Sequence, residues 1–229
     1  MSTAHARLAE RRYLRRVLRS LTAAGDSGVL LLVGSAARRT RIEPSSDLDL
    51  VVLGDADLPP APVGIQIRQT TTSEFEDRAR AGDDFSQWAL RFGIPLHGRR
   101  EWGELVRRLG DGLPWPDQRV NVARAEARIA DAGALLEMGD LDAAQEQVYF
   151  AISQVARARL LEAGVFPRSR PELAGQVGQL GDSQLAEALR IESWANPLPQ
   201  SQVEELIGMV DERIARAKAP TGRARSTSP

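Results

Sequence analysis

The run Val29-Leu30-Leu31-Leu32-Val33, set between Gly28 and Gly34, constrains this chain more than any other feature. An unbroken apolar stretch of this length has no solvent face, which predicts a buried central strand covered on both sides. The run leads into Gly34-Ser35. A glycine there lets another group come close to the backbone, and a strand that ends in Gly-Ser and opens a helix presents amides and a hydroxyl to an anion such as a phosphate. Eleven residues separate Ser35 from Asp47-Leu48-Asp49-Leu50-Val51-Val52-Leu53. Read as a second strand, its period of two puts both aspartates on one face and turns Leu48 and Leu50 toward the core. Two neighbouring carboxylates repel each other unless a cation compensates them. A hard divalent ion such as Mg²⁺, shared with nucleotide phosphates, meets that need.

Around these two strands the pattern is mixed. Residues 4–24 read as a helix, with Leu8, Leu14, Val17, Leu18 and Leu21 on one stripe and arginines 7, 11, 12, 15, 16 and 19 over the rest. A short helix is expected over 35–41, a turn at Glu43-Pro44-Ser45-Ser46, and a third, alternating strand over 63–69. Thr72 or Ser73 is expected to cap a helix to about Ala81, with Glu76 completing a capping box if Ser73 is the cap. Another helix follows over 84–92, and His97 reads as a turn residue after the last strand. Beyond residue 118 the pattern is almost pure helix, over 119–138, 141–163, 171–180, 183–194 and 200–217. The expected fold class is α+β: an N-terminal helix (1–27) packing on a small mixed-sheet domain (28–98), a connector (99–118), an all-α helical bundle (119–218) and a disordered tail (219–229).

The Gly34-Ser35 … Asp47-Leu48-Asp49-Leu50 arrangement, between two expected strands, resembles the signature of the DNA polymerase β-type nucleotidyltransferases. The resemblance implies that Gly34 and Ser35 hold a nucleotide triphosphate, with Arg38 or Arg39 assisting. It also implies that Asp47 and Asp49 are the catalytic, Mg²⁺-binding pair. The substrate would be an NTP, with ATP the first choice. Its nucleoside monophosphate would pass to a hydroxyl on a small molecule, a protein or an RNA. Active members of that family carry a third carboxylate on the next strand of the site. Here the matching stretch is Gly64-Ile65-Gln66-Ile67-Arg68, with Gln66 in the expected place and no acid from Val63 to Ser73. An amide cannot take a proton at neutral pH. A shifted alignment, a substitute acid (Asp55, Asp57 or Glu74) and a degenerate protein all remain open. In the last case the domain would be a nucleotide-binding, antitoxin-like or regulatory partner without efficient transfer.

The later helices are similar in arrangement to the HEPN bundles that accompany minimal nucleotidyltransferase domains, which implies a homodimer or substrate closure through the bundle. Ribonucleases of that type use an arginine followed by a histidine, and Arg168 and Arg170 are followed by none. Composition excludes more than it assigns. With no cysteine and only His5 and His97, neither a thiolate nor a multi-histidine metal site is available. A net charge of −1 carries no global attraction for nucleic acid. No apolar run approaches the roughly 20 residues of a membrane span, so a cytoplasmic protein without a membrane partner is expected. The arginines of the first helix read first as a solvated face. Trp88, Phe92, Trp102 and Trp115 read first as core or linker packing.

Overall fold

The structure, a computed structural model, describes residues 3–23, 28–38, 48–190 and 196–219. They form two compact units that divide between Pro116 and Asp117.

The first unit contains α1 (Thr3–Ala23), β1 (Val29–Val33), α2 (Gly34–Ala37), β2 (Leu48–Leu53), β3 (Ile65–Thr70), α3 (Thr72–Arg80), α4 (Asp84–Phe92), β4 (Ile94–His97) and α5 (Arg99–Leu109). The strands make one mixed sheet in the order β3-β2-β1-β4. β1 is antiparallel to β2 and β4, and β2 is parallel to β3. The apolar run is therefore an interior strand. Alternation sends Leu30, Leu50, Val52 and Ile65 to one face, where they meet Tyr13, Val17 and Leu21 of α1. Leu31, Val51 and Leu53 are buried with them and turn to the opposite face, where α4 and α5 pack on β1. Each such side chain contributes about 1.5–3 kcal/mol by leaving water. Tyr13 also donates its hydroxyl to the Pro59 carbonyl at 3.0 Å, tying α1 to the loop after β2.

Three local expectations differ from the structure. The cap of α3 is Thr71, not Thr72 or Ser73: Glu74 N donates to Thr71 Oγ1 and Thr71 N to Glu74 Oε2, both at 3.2 Å. Glu76, the expected box partner, instead accepts from Arg108 Nε of α5 at 3.1 Å. His97 lies in β4 opposite Leu30, inside a strand and not in a turn. The segment 99–118 contains α5, whose Trp102, Leu105 and Leu109 recur at i, i+3 and i+7 and are buried. Trp102 meets Phe75 of α3 edge-on at 5.9 Å, whereas Trp115 is half exposed.

The second unit contains α6 (Gln118–Glu137), α7 (Leu141–Glu162), α8 (Arg170–Gln179), α9 (Ser183–Arg190) and α10 (Gln200–Lys218), close to the expected helices. Residues 191–195, the end of one expected helix, lie outside the described residues, as does the segment 220–229 expected to be a disordered tail. α7 is the axis of the unit. Val148, Ala151, Ile152, Val155, Ala156 and Leu160 are buried along it, and α6, α8, α9 and α10 all pack on it. Its alanines let neighbouring helices approach closely. Two glutamines hold the connections. Gln145 Nε2 donates to the Asn196 carbonyl at 2.9 Å, and Gln145 Oε1 accepts from Leu198 N at 2.7 Å. Gln176 does the same for the Phe166 carbonyl and Arg168 N. Arg170 lies over the rings of Tyr149 and Phe150 at 5.2 and 5.0 Å.

Candidate functional site

The sheet register assembles the site. Val33 pairs with Asp49 across β1 and β2, and Asp49 pairs with Gln66 across β2 and β3. Directly paired residues share a face, so Val33, Asp49 and Gln66 form one row over three strands. Gly34 follows Val33 past the end of β1 with φ of +68°, a backbone conformation that glycine adopts without strain. Its Cα lies against the Asp49 side chain. A Cβ at this position would stand 3.0 Å from Asp49 Cγ and overlap Oδ2. The glycine of the Gly-Ser pair and the second aspartate of the Asp-x-Asp pair are thus in contact, and only a residue without a side chain fits between them.

Ser35 and Arg38 are half-buried beside this turn. α2 is a single turn, and Arg38 N already closes on the Ser35 carbonyl at 3.1 Å. So short a helix carries little macrodipole, and the turn offers individual amides and a hydroxyl. Arg38 is not on a solvated helix face: its guanidinium stacks over Phe92 of α4, with Cζ 4.5 Å from the ring centroid. Arg68, two residues after Gln66 on the same face of β3, stacks over Phe85 of α4 with Cζ at 4.2 Å. Phe85 and Phe92 are seven residues, about two helical turns, apart. One face of α4 thereby holds two arginines. Sequence reasoning singled out Arg38 but gave Arg68 no role. The signal was its i, i+2 spacing from Gln66.

Asp47, Ser46 and Arg39 lie outside the described residues. Among the described residues no group of three His, Asp or Glu side chains is placed to hold a metal ion. The substitute acids named above are engaged or remote. Glu74 accepts from Thr70 Oγ1 at 2.8 Å and from its own cap. Hydrogen bonds from Thr70 and Thr71 hold its carboxyl below the usual range. Asp55 and Asp57 follow the far end of β2. Leu53 alone is about 13 Å from Asp49 at the rise of an extended strand. The register leaves Gln66 as the residue beside Asp49. The oxygen-bearing side chains of these neighbouring positions, Asp49, Ser35 and Gln66, are all hard donors. That chemistry suits Mg²⁺ and does not suit a softer metal.

No protein-family model matches the sequence, and no curated protein matches it. Among solved structures, the chain is similar to the crystal structure of a nucleotidyltransferase-like protein from Exiguobacterium sibiricum 255-15. The identity is 13%, the match covers 90% of this chain and 74% of that one, and the TM-score is 0.44.

Proposed function

We propose that the first unit binds a Mg²⁺–nucleoside triphosphate and transfers its nucleoside monophosphate to a hydroxyl acceptor. The observation that carries this reading is the contact between Gly34 and Asp49, which brings the Gly-Ser turn against the acidic strand. The amides of the turn and the Ser35 hydroxyl would hold the terminal phosphates, with Arg38 as the neighbouring cation. Asp49, with Asp47, would hold Mg²⁺. When bound, the ion neutralises charge on the transferring phosphoryl group and its leaving pyrophosphate. In the transfer the acceptor oxygen bonds to the α-phosphorus, the bond to pyrophosphate breaks, and the hydroxyl proton passes to a carboxylate or to water. Gln66 cannot take that proton.

Gln66 beside Asp49 favours a second reading, in which the nucleotide is bound and not turned over and the protein acts as a regulatory or antitoxin-like partner. Calorimetry with ATP, GTP, CTP and UTP, with and without Mg²⁺, separates the two readings when combined with pyrophosphate release. Mg²⁺-dependent binding that disappears in Asp49→Asn supports the site. Gln66→Glu, which adds a carboxylate beside Asp49, is expected to tighten Mg²⁺ binding by about tenfold, roughly one added charge–charge contact. Binding without pyrophosphate release in both the native chain and Gln66→Glu, with small-molecule, protein and RNA hydroxyl acceptors supplied, selects the second reading. A folded protein that binds no nucleotide ends both.

A further inference from the structure

The second unit contains a cavity of about 270 Å³ between α6, α7, α9 and α10. Half of its lining is apolar, and Val122, Val155, Leu185 and Ile214 are all buried there. Its charged groups are Arg159, Glu162, Asp182, Arg213 and Arg216. Arg159 and Glu162 pair at 3.1 Å and are each close to half exposed, so this side opens to solvent. Three cations against two acids leave one positive charge unmatched among the described lining residues.

Arg213 is the unusual member. Its side chain is only 10% exposed. Nη2 donates to Asp182 Oδ1 at 2.7 Å and to Gln184 Oε1 at 3.3 Å, while Nε is buried and has no acceptor among the described residues. A buried charged donor without a partner is costly, and native structures rarely leave one without a reason. Asp182 Oδ1 is already shared, because it also caps α9 by accepting from Leu185 N at 3.1 Å. The guanidinium is therefore anchored through Nη2 beside the chamber, and its Nε–H has no acceptor among the described residues. Of the cationic side chains, a guanidinium is the one best matched to a carboxylate.

We propose that this cavity is a binding site for a small monocarboxylate with an apolar body, its carboxylate held by Arg213 and balanced by Arg216, its hydrocarbon part against Val122, Val155 and Leu185. At about 30 Å³ per water-sized group the chamber takes about nine such groups, the size of hexanoate or octanoate. The site is independent of the nucleotide reading, since every lining residue belongs to the second unit.

The test uses the full chain and ligand-observed NMR, with hexanoate and octanoate as probes, hexanol as the neutral control and inorganic phosphate as the anion without an apolar body. Saturable carboxylate binding, at least about tenfold tighter than hexanol, is expected. Arg213→Lys, which keeps the charge and a donor for Asp182 but removes the guanidinium, is expected to weaken it by about tenfold. Ala158→Phe, which puts a ring into the chamber, is expected to abolish it. No saturable binding of either carboxylate, equal binding of hexanol, or an unchanged affinity in a folded Arg213→Lys protein overturns the proposal. Phosphate binding as tightly as hexanoate overturns it as well. Should Arg213→Lys fail to fold, the comparison of hexanoate with hexanol on the native chain decides alone.

Discussion

The two units are built on different principles. In the second, each helix is stated by its own periodicity and packs on the single axis helix α7. α6 and α7 are joined by Met138-Gly139-Asp140, too short a connection for anything but an antiparallel pair, and the core is a set of stripes repeated every three or four residues. In the first, neighbours in space are distant in sequence. β1 lies between β2, which follows it closely, and β4, which begins some sixty residues later. The candidate site draws on three strands, with Gly34, Asp49 and Gln66 meeting only through register. Helical periodicity yields a scaffold that the chain states locally, whereas chemistry that needs several groups at one point is assembled by non-local pairing. The proposed carboxylate pocket shows that the bundle also gathers polar groups from afar, since Asp182 and Arg213 are 31 residues apart.

This contrast can be broken or sharpened by substitution. The largest effect is expected from Ile152→Ala. Ile152 is fully buried on the axis helix of the second unit, and the lost burial and the cavity left behind are expected to cost about 2–5 kcal/mol. Urea unfolding followed by far-UV circular dichroism measures it. A cost below about 1 kcal/mol would mean that α7 is not the organising element.

A glycine pair isolates the crowding in the sheet unit. Gly34 and Gly164 share a left-handed backbone, with φ of +68° and +70°. A Cβ at 164 meets nothing within 4 Å, and one at 34 collides with Asp49. Gly164→Ala is expected to cost about 1 kcal/mol from backbone strain alone. Gly34→Ala is expected to cost about 1–3 kcal/mol more, the usual range of overpacking, and to displace Asp49 and weaken any Mg²⁺–nucleotide binding. Equal costs at the two glycines would remove the Gly34–Asp49 contact from the account.

The smallest effect belongs to Glu76, which joins α3 to α5 through Arg108. The hydrogen bond from Arg108 holds its carboxyl below the ordinary glutamate range. A lowered folded-state pKa stabilises the fold above the ordinary value, and that stabilisation is lost as pH falls through the folded value. Because Arg108 is half exposed, solvent screening limits the contribution to about 1 kcal/mol or less. Glu76→Gln is therefore expected to lower stability slightly at neutral pH and to match the native chain in acid, measured by thermal unfolding at both pH values.

The pattern of misreadings follows the same contrast. The helices of the second unit stand within a few residues of where apolar period and Gly or Pro breaks place them. β4 was not legible because four residues with a proline carry no alternation, and only an edge position beside β1 makes Pro95 acceptable in a strand. α5 was legible in principle, since Trp102, Leu105 and Leu109 have helical spacing, but the two tryptophans and two prolines of 99–118 read as a connector. The sequence holds two capping-box spacings, Thr71 with Glu74 and Ser73 with Glu76, and the expected cap, Thr72 or Ser73, overlooked the first. Arg108, 32 residues on from Glu76, binds Glu76 and leaves Thr71 with Glu74 as the capping box.

The sequence by itself determined the interior strand, the Gly-Ser turn that ends it, the acidic strand and the helical second unit. These rest on periods of 2 and 3.6 residues and on residue types that admit few backbone conformations. Only the tertiary structure decided that Gly34 touches Asp49, that Gln66 stands beside that aspartate, that one face of α4 holds Arg38 and Arg68, and that Arg213 keeps a buried donor beside the chamber of the second unit. Each is a meeting of distant segments, and local preference does not encode which strand pairs with which, or at what register.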